Sequence, residues 1–459
     1  MAVVIPFKGL LYNSSRIPDL RLVVTPPYDV ISPEQDEELR RRHPHNIVHL
    51  ILPRPEGAAS RYECAARTLR SWRESGILAE DDAPAFYLLS QKYSVKGLGS
   101  RTRLGVVARV RIEEDENRVI RPHERTMAGP REDRTDLLDA TRTNLSPIFL
   151  LGSDPGGTAE SLFASIASRP EDRWAVDDQG IESRLWRVAD RAAVAGLSEI
   201  LRNRTLWIAD GHHRYAAARA YRDRLRAADG SAPGTRSYDY VMAYVTTMES
   251  PGVTILPYHR TLRGLEDFDR AAFAGKARSC FDVKEFPFEG YEPRADQIRL
   301  RLREALRSGR NAFAAYTGPG SFLLLLLKEG IDLAEAFGGS LAPPLRPLDV
   351  SVLHQILLGK VMGLDGEEQS REGGPLRYTH EMDHALSWVD SGEAQVALLL
   401  NATLKEQLVA VADAGLQMPQ KSTYFYPKVL TGLVLNPLEP FEEIHPQAAG
   451  AAAGGKGSR

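Results

Sequence analysis

The pentapeptide Asp210-Gly211-His212-His213-Arg214 stands between a short apolar run, residues 205–209, and a segment in which Tyr215, Ala218, Tyr221 and Leu225 recur at helical spacing. A strand ending and a helix starting there would set these residues at a helix N-terminus, where N–H groups and a partial positive charge make an anion site. Gly211 lets backbone approach a ligand closely, and His212, His213 and Arg214 add donors for phosphate oxygens. Asp210 is suited to capping the helix, or to holding Mg²⁺ or a ligand amine. The plainer alternative is an N-cap Asp with two solvated histidines, but the cluster exceeds what capping needs.

Two further clusters could serve such a site. Pro122-His123-Glu124-Arg125-Thr126 is followed by Asp133, Arg134 and Asp136. Glu124, between a histidine and an arginine after a strand, suits a general acid or base; a surface ion-pair cluster is the other possibility. In Met418-Pro419-Gln420-Lys421-Ser422-Thr423-Tyr424-Phe425-Tyr426-Pro427-Lys428, two prolines bracket a basic, hydroxyl-bearing and aromatic loop. Lys421, Ser422 and Thr423 could hold phosphate, with aromatics stacking on a base, or the loop could be a rigid aromatic corner.

His380-Glu381-Met382-Asp383-His384 fits H-E-x-x-H, in which two histidines on one helix face bind zinc. No third ligand or glycine turn follows, so a zinc hydrolase is the weakest alternative and no metal ligands are assigned. Residues 450–456 mimic a Walker A loop, but Gly457 replaces the required hydroxyl and no strand precedes it. The pairs His43/His45 and His259/His354 read as structural.

The elements that must position these groups alternate between strand and helix. Ser32, Pro33 and Gln35 start a helix over 34–42, and another is expected over 60–75. Strands are expected at 46–52, 85–90, 104–112, 240–246 and 395–400, with a hairpin of 312–317 and 322–327. Helices are expected at 350–362 and 380–389. The domain expectation is an N-terminal α/β region, 1–112; a core, 113–262; a C-terminal α/β region, 263–445; and a disordered Ala/Gly-rich tail, 446–459.

Composition narrows the function. With 58 Lys plus Arg against 61 Asp plus Glu, the net charge of −3 argues against a nucleic-acid partner. Cys64 and Cys280 are the only cysteines and offer no disulfide framework, which fits a reducing, cytoplasmic setting. The longest apolar run, 322–327, falls far short of the roughly 20 residues of a membrane span, and the start lacks signal-peptide features.

Six ordered motifs resemble the domain of unknown function 1015 family over nearly the whole chain except the tail. They are Pro26-Pro27-Tyr28-Asp29, His123-Glu124-Arg125-Thr126, Ala209 to Tyr215, Pro257-Tyr258-His259-Arg260, Leu348-Asp349-Val350, and residues 418–428. The middle region is also similar to the ParB/sulfiredoxin-like superfamily, in which a strand, a D-G-H-H-R-type turn and a helix cradle phosphate. That superfamily includes CTP-binding partition proteins, sulfiredoxin and kinases of free serine, and the last group is nearest at the motif. The resemblance implies Glu124 as base, with Asp210, His212, His213 and Arg214 at the phosphate. The chain departs from the pattern by long flanking regions and by an insertion at about 154–201.

The expectation is therefore an α/β fold, with a ParB/sulfiredoxin-like mixed-sheet core elaborated at both ends. The expected function is phosphoryl transfer between a serine- or phosphoserine-like hydroxy-amino acid and a nucleotide or water. Glu124, His212 and His213 would be catalytic. Asp210, Gly211, Arg214, His123, Arg125, Lys421, Ser422 and Thr423 would bind the ligand, and Mg²⁺ would accompany a nucleotide. The expected partner is a small phosphate-bearing molecule, with no nucleic acid and no membrane. A nucleotide-binding switch without small-molecule catalysis is the alternative.

Overall fold

The computed structural model describes residues 2–126, 128–202, 204–371, 373–439 and 442–444. The tail 446–459 and its Walker-like segment lie outside the described residues. The chain divides into two units. One comprises Met1–Pro122, Thr126–Thr254 and Pro427–Arg459, the other His123–Arg125 and Ile255–Tyr426.

The first unit is organised by a nine-stranded mixed sheet. Its order is Ile120–Arg121, Leu206–Asp210, Ile148–Gly152, Tyr240–Thr247, Gly99–Arg111, Phe86–Val95, Glu182–Val188 and Arg173–Val176, and Val4–Ile5 also pairs with Gly99–Arg111. Leu206–Asp210 runs parallel to Ile120–Arg121 and antiparallel to Ile148–Gly152, which is parallel to Tyr240–Thr247. The apolar run before the pentapeptide is thus an inner strand, with Leu206 and Ile208 fully buried. Helix His212–Asp229 follows, burying Tyr215, Ala218 and Tyr221 in the core with Leu225 packed against it. The expected α/β class and mixed sheet are present.

The segment at 154–201 extends this same sheet. It contributes helices Thr158–Ala167 and Arg191–Leu201, and strands Arg173–Val176 and Glu182–Val188 at one edge. Helix Pro33–Arg42 begins with the capping box expected of Ser32 and Gln35. Residues 46–52, expected as a strand, instead contain helix Val48–Ile51. Asn46 shows the local cause, since its Oδ1 accepts from the Val48 N–H (3.0 Å) and its Nδ2 donates to the Leu22 carbonyl (2.8 Å). A short apolar run fits a buried helix as well as a strand.

The second unit has a six-stranded antiparallel sheet in the order Phe281–Pro287, Ser321–Leu327, Ala312–Tyr316, Val396–Leu400, His259–Leu262 and Leu376–Thr379. The expected hairpin supplies its second and third strands. Helices Arg294–Arg307 and Met382–Asp390 cover one face, packing Ile298, Leu302, Ala385 and Leu386 on Ala314, Leu324 and Leu399. Asp349–Val352 is α-helical and continues in wider π-type turns over Leu353–Val361, where one helix was expected. Among the described residues, no helix is long and apolar enough to cross a membrane.

Candidate functional site

The pentapeptide lies at the junction of strand and helix in the first unit. A shift in register between Ile208 and Asp210 bulges the strand just before the turn, and such bulges re-aim a side chain. Gly211 follows at φ +90°, in the left-handed region that only glycine adopts readily. A Cβ there would stand 3.0 Å from Ile148 Cγ2 and 3.1 Å from the Arg214 guanidinium. Gly211, not Asp210, is the helix N-cap, and it has no side chain to cap with. His212 and His213 occupy the first turn and are half-buried.

Asp210 turns to two cations instead. Its Oδ2 accepts from Arg214 Nη2 (2.7 Å), and its Oδ1 is bonded to the Lys428 ammonium. Arg214 also donates to the Pro147 carbonyl. Burial alone would raise the Asp210 carboxyl, but the neighbouring Lys428 and Arg214 charges outweigh it and hold it at about 2. Capping, one of the roles open to this carboxylate, is not what the structure shows.

Tyr28, from the Pro-Pro-Tyr-Asp motif, reaches the same unit's turn region. The Arg134 guanidinium lies 4.0 Å over its ring and donates to the Ile51 carbonyl (2.9 Å). Burial, with Asp29 nearby, raises the Tyr28 phenol to about 12. A cavity of about 50 Å³ is lined by Tyr28, Arg134, Leu137, Ser146, Arg214 and Ala217, among others. Asp133 belongs to the ion-pair possibility weighed for the 122–136 cluster, since it binds Arg134, Arg61 (2.7 Å) and the Tyr62 hydroxyl (2.9 Å).

The second unit gathers the other candidates on the loop 418–426. Glu124 forms a parallel bridge with Met418, whose N–H donates to the His123 carbonyl (2.7 Å). His123 is fully buried, with Nε2 3.0 Å from Thr423 Oγ1. Ser422 is turned into its own loop and donates to the Pro419 carbonyl (2.5 Å). Lys421 takes a left-handed φ of 55°, with its ammonium 5.2 Å over the Tyr258 ring. Arg125 is exposed. Tyr424, a candidate stacking platform, is only 4% exposed because the His380 ring stacks on it at 3.9 Å.

Arg260 supports this loop from below. It is fully buried and donates to the Lys421 carbonyl (3.1 Å) and toward His354 Nε2 (3.1 Å). Burial lowers Arg260 to about 10, against the opposing charges of Tyr378, Tyr258 and Glu124. Burial, followed by the Arg260 charge, holds His259 and His354 at about 3, so both are neutral at physiological pH. A cleft of about 830 Å³ in the second unit is lined from 263–276 and 361–375 and includes none of the candidate residues.

The H-E-x-x-H segment lacks the helical geometry its motif needs. The helix begins at Met382, so His380 lies before it, 3.7 Å from the Glu381 carboxylate and stacked on Tyr424. His384 pairs with Glu381 at 3.2 Å. Among the described residues, no group of three His, Cys, Asp or Glu is placed to hold a metal ion.

Sequence reasoning missed Lys428 as the partner of Asp210, named Arg260 only as part of the Pro257–Arg260 motif without a role, and missed Gln91 and Arg103 entirely. Lys428 had a signal, standing at the end of the 418–428 loop. Gln91 and Arg103 had no such signal, since their strands also carry Ser90, Lys92, Arg101 and Thr102, and nothing in the spacing separates the buried polar residues from the exposed ones.

Over residues 4–351 the sequence matches the family model described as protein of unknown function, DUF1015. The chain belongs to that family. Similar solved structures include a free serine kinase in complex with AMP, 17% identical with a TM-score of 0.31, covering 71% of this chain and 87% of that one. A conserved hypothetical protein from Pyrococcus furiosus is 14% identical with a TM-score of 0.31, covering 72% and 94%. C-terminally truncated SbnI from Staphylococcus aureus is 11% identical with a TM-score of 0.32, covering 71% and 85%. These likenesses are distant. Among curated proteins there is no match.

Proposed function

We propose that the Asp210–Arg214 turn binds a phosphate group, and that the protein transfers a phosphoryl group involving a small hydroxy-amino acid of the serine type and a nucleotide. One observation carries this. At the start of an 18-residue helix, beside a glycine at φ +90°, a single half-buried carboxylate faces two cations, Arg214 and Lys428. Helix N-termini attract anions, and charge-assisted bonds from Arg and Lys are the strong ones for phosphate.

In the kinase direction, the amino-acid hydroxyl oxygen attacks the terminal phosphorus and the bond to the nucleotide's leaving phosphate breaks. The hydroxyl proton is assigned to Glu124, as the motif resemblance implies. Arg214, His212, His213 and the helix N–H groups would stabilise charge on the transferring phosphoryl. His123, Arg125 and Lys421 are assigned to the ligand by residue type. Ser422 and Thr423 join them only if their bonds to Pro419 and His123 open. Asp210 is engaged by two cations, so Mg²⁺ would be held mainly by the nucleotide's own phosphate oxygens.

Incubating the protein with serine or phosphoserine and each nucleotide, and following phosphorus by NMR, tests this directly. Transfer between the two is expected. Nucleotide binding by calorimetry without turnover would favour a ligand-binding switch, and absence of any phosphate-ligand binding would end the proposal.

A further inference from the structure

Lys428 lies 218 residues beyond Asp210 and outside the span 4–351 matched by the family model, yet its ammonium is bonded to the Asp210 carboxylate. Two fully buried side chains set its place. Arg103 donates from Nη2 to the Pro427 carbonyl (2.6 Å), and Gln91 donates from Nε2 to the Lys428 carbonyl (2.9 Å). Gln91 and Arg103 are themselves cross-strand partners. The Arg103 guanidinium lies 4.4 Å over the ring of Phe149, the residue in register with Asp210. Buried polar groups are unfavourable unless bonded, and these two direct their bonds at the backbone on either side of one peptide link. Closing a loop does not require that.

Arg214 and Lys428 then differ in what fixes them. The Arg214 guanidinium is folded over Gly211 and held by both the Pro147 carbonyl and Asp210. At Lys428 the sheet fixes the backbone, while the ammonium is a compact point charge on a flexible four-carbon stem. An anion arriving at the helix N-terminus would meet one carboxylate already shared between two cations. Transfer of the ammonium to the anion leaves each cation facing one negative group.

We propose that Lys428 is a second phosphate-binding residue of this site, exchanging the Asp210 carboxylate for a phosphate oxygen when ligand binds. This rests on the phosphate assignment of the turn. Pyrophosphate, which needs no particular base or amino acid, is the probe, titrated by calorimetry into the full chain and into Lys428→Met and Lys428→Arg. Lys428→Met should bind about 10–100-fold more weakly, the range for one charge-assisted contact, and Lys428→Arg should recover most of the loss. NMR of the lysine ammonium groups provides an observation on the unaltered protein. The Lys428 resonance, assigned by its absence in Lys428→Arg, should shift on adding pyrophosphate. An unmoved resonance, or undiminished affinity in Lys428→Met, overturns the proposal and leaves the phosphate site standing. Failure of the unaltered chain to bind pyrophosphate overturns both.

Discussion

Replacing Asp210→Asn keeps the shape of the side chain and removes the charge that Arg214 and Lys428 face. In the folded chain those cations hold the carboxyl at about 2 against an ordinary 3.8. A carboxyl lowered on folding stabilises the protein above its unfolded value, and that stability is lost as pH falls through the folded one. The window therefore runs from about pH 4 down to about pH 2. At roughly 1 kcal/mol or a little more per pH unit, the contribution present at neutral pH is on the order of 2–3 kcal/mol. The side chain is 15% exposed, so water screens it little. Removing one partner of a buried pair typically costs about 3–5 kcal/mol, because a cation is left without its counter-charge. Urea unfolding at pH 7 should thus show Asp210→Asn weaker by about 3 kcal/mol, and the deficit should shrink as pH approaches 2. Comparing variant with wild type at each pH cancels the titration of the other carboxylates. A deficit that stays constant between pH 7 and 2 would refute the inference that these cations hold the carboxylate ionised.

Gly211→Ala should lose about 2–4 kcal/mol in the same assay, from left-handed backbone strain and the close approach of Ile148 and Arg214. A loss below about 1 kcal/mol would mean that the turn relaxes freely. Glu124→Gln should leave nucleotide binding by calorimetry nearly intact while cutting turnover about 10²–10⁴-fold, and full turnover would remove Glu124 as the base. His384 is 61% exposed and pairs only locally with Glu381, so His384→Ala should keep turnover within a few-fold. Joint loss of activity and stoichiometric zinc, measured by elemental analysis, would contradict that.

The sequence determined the parts of this protein that follow from short-range rules. The strand and helix around residues 206–229 were legible because apolar spacing, a glycine and a polar turn agree on one local structure. The capping box at Ser32 was legible for the same reason, its partners lying three residues apart. Where local signals conflict, tertiary burial decided. Residues 48–51 include the β-branched Val48 and Ile51, yet the bond to Asn46 at the helix start and the burial of Val48, Leu50 and Ile51 favour a helix. The apparent zinc motif failed because its first histidine lies before the helix begins, a boundary that spacing alone does not set. The site's charge balance was beyond the sequence altogether. The neighbours of Asp210 along the chain leave capping, Mg²⁺ and a ligand amine all open to it, but its partner Lys428 is 218 residues away and is placed by Gln91 and Arg103. A carboxylate's role depends on which cations surround it in space, and only the folded sheet brings those together.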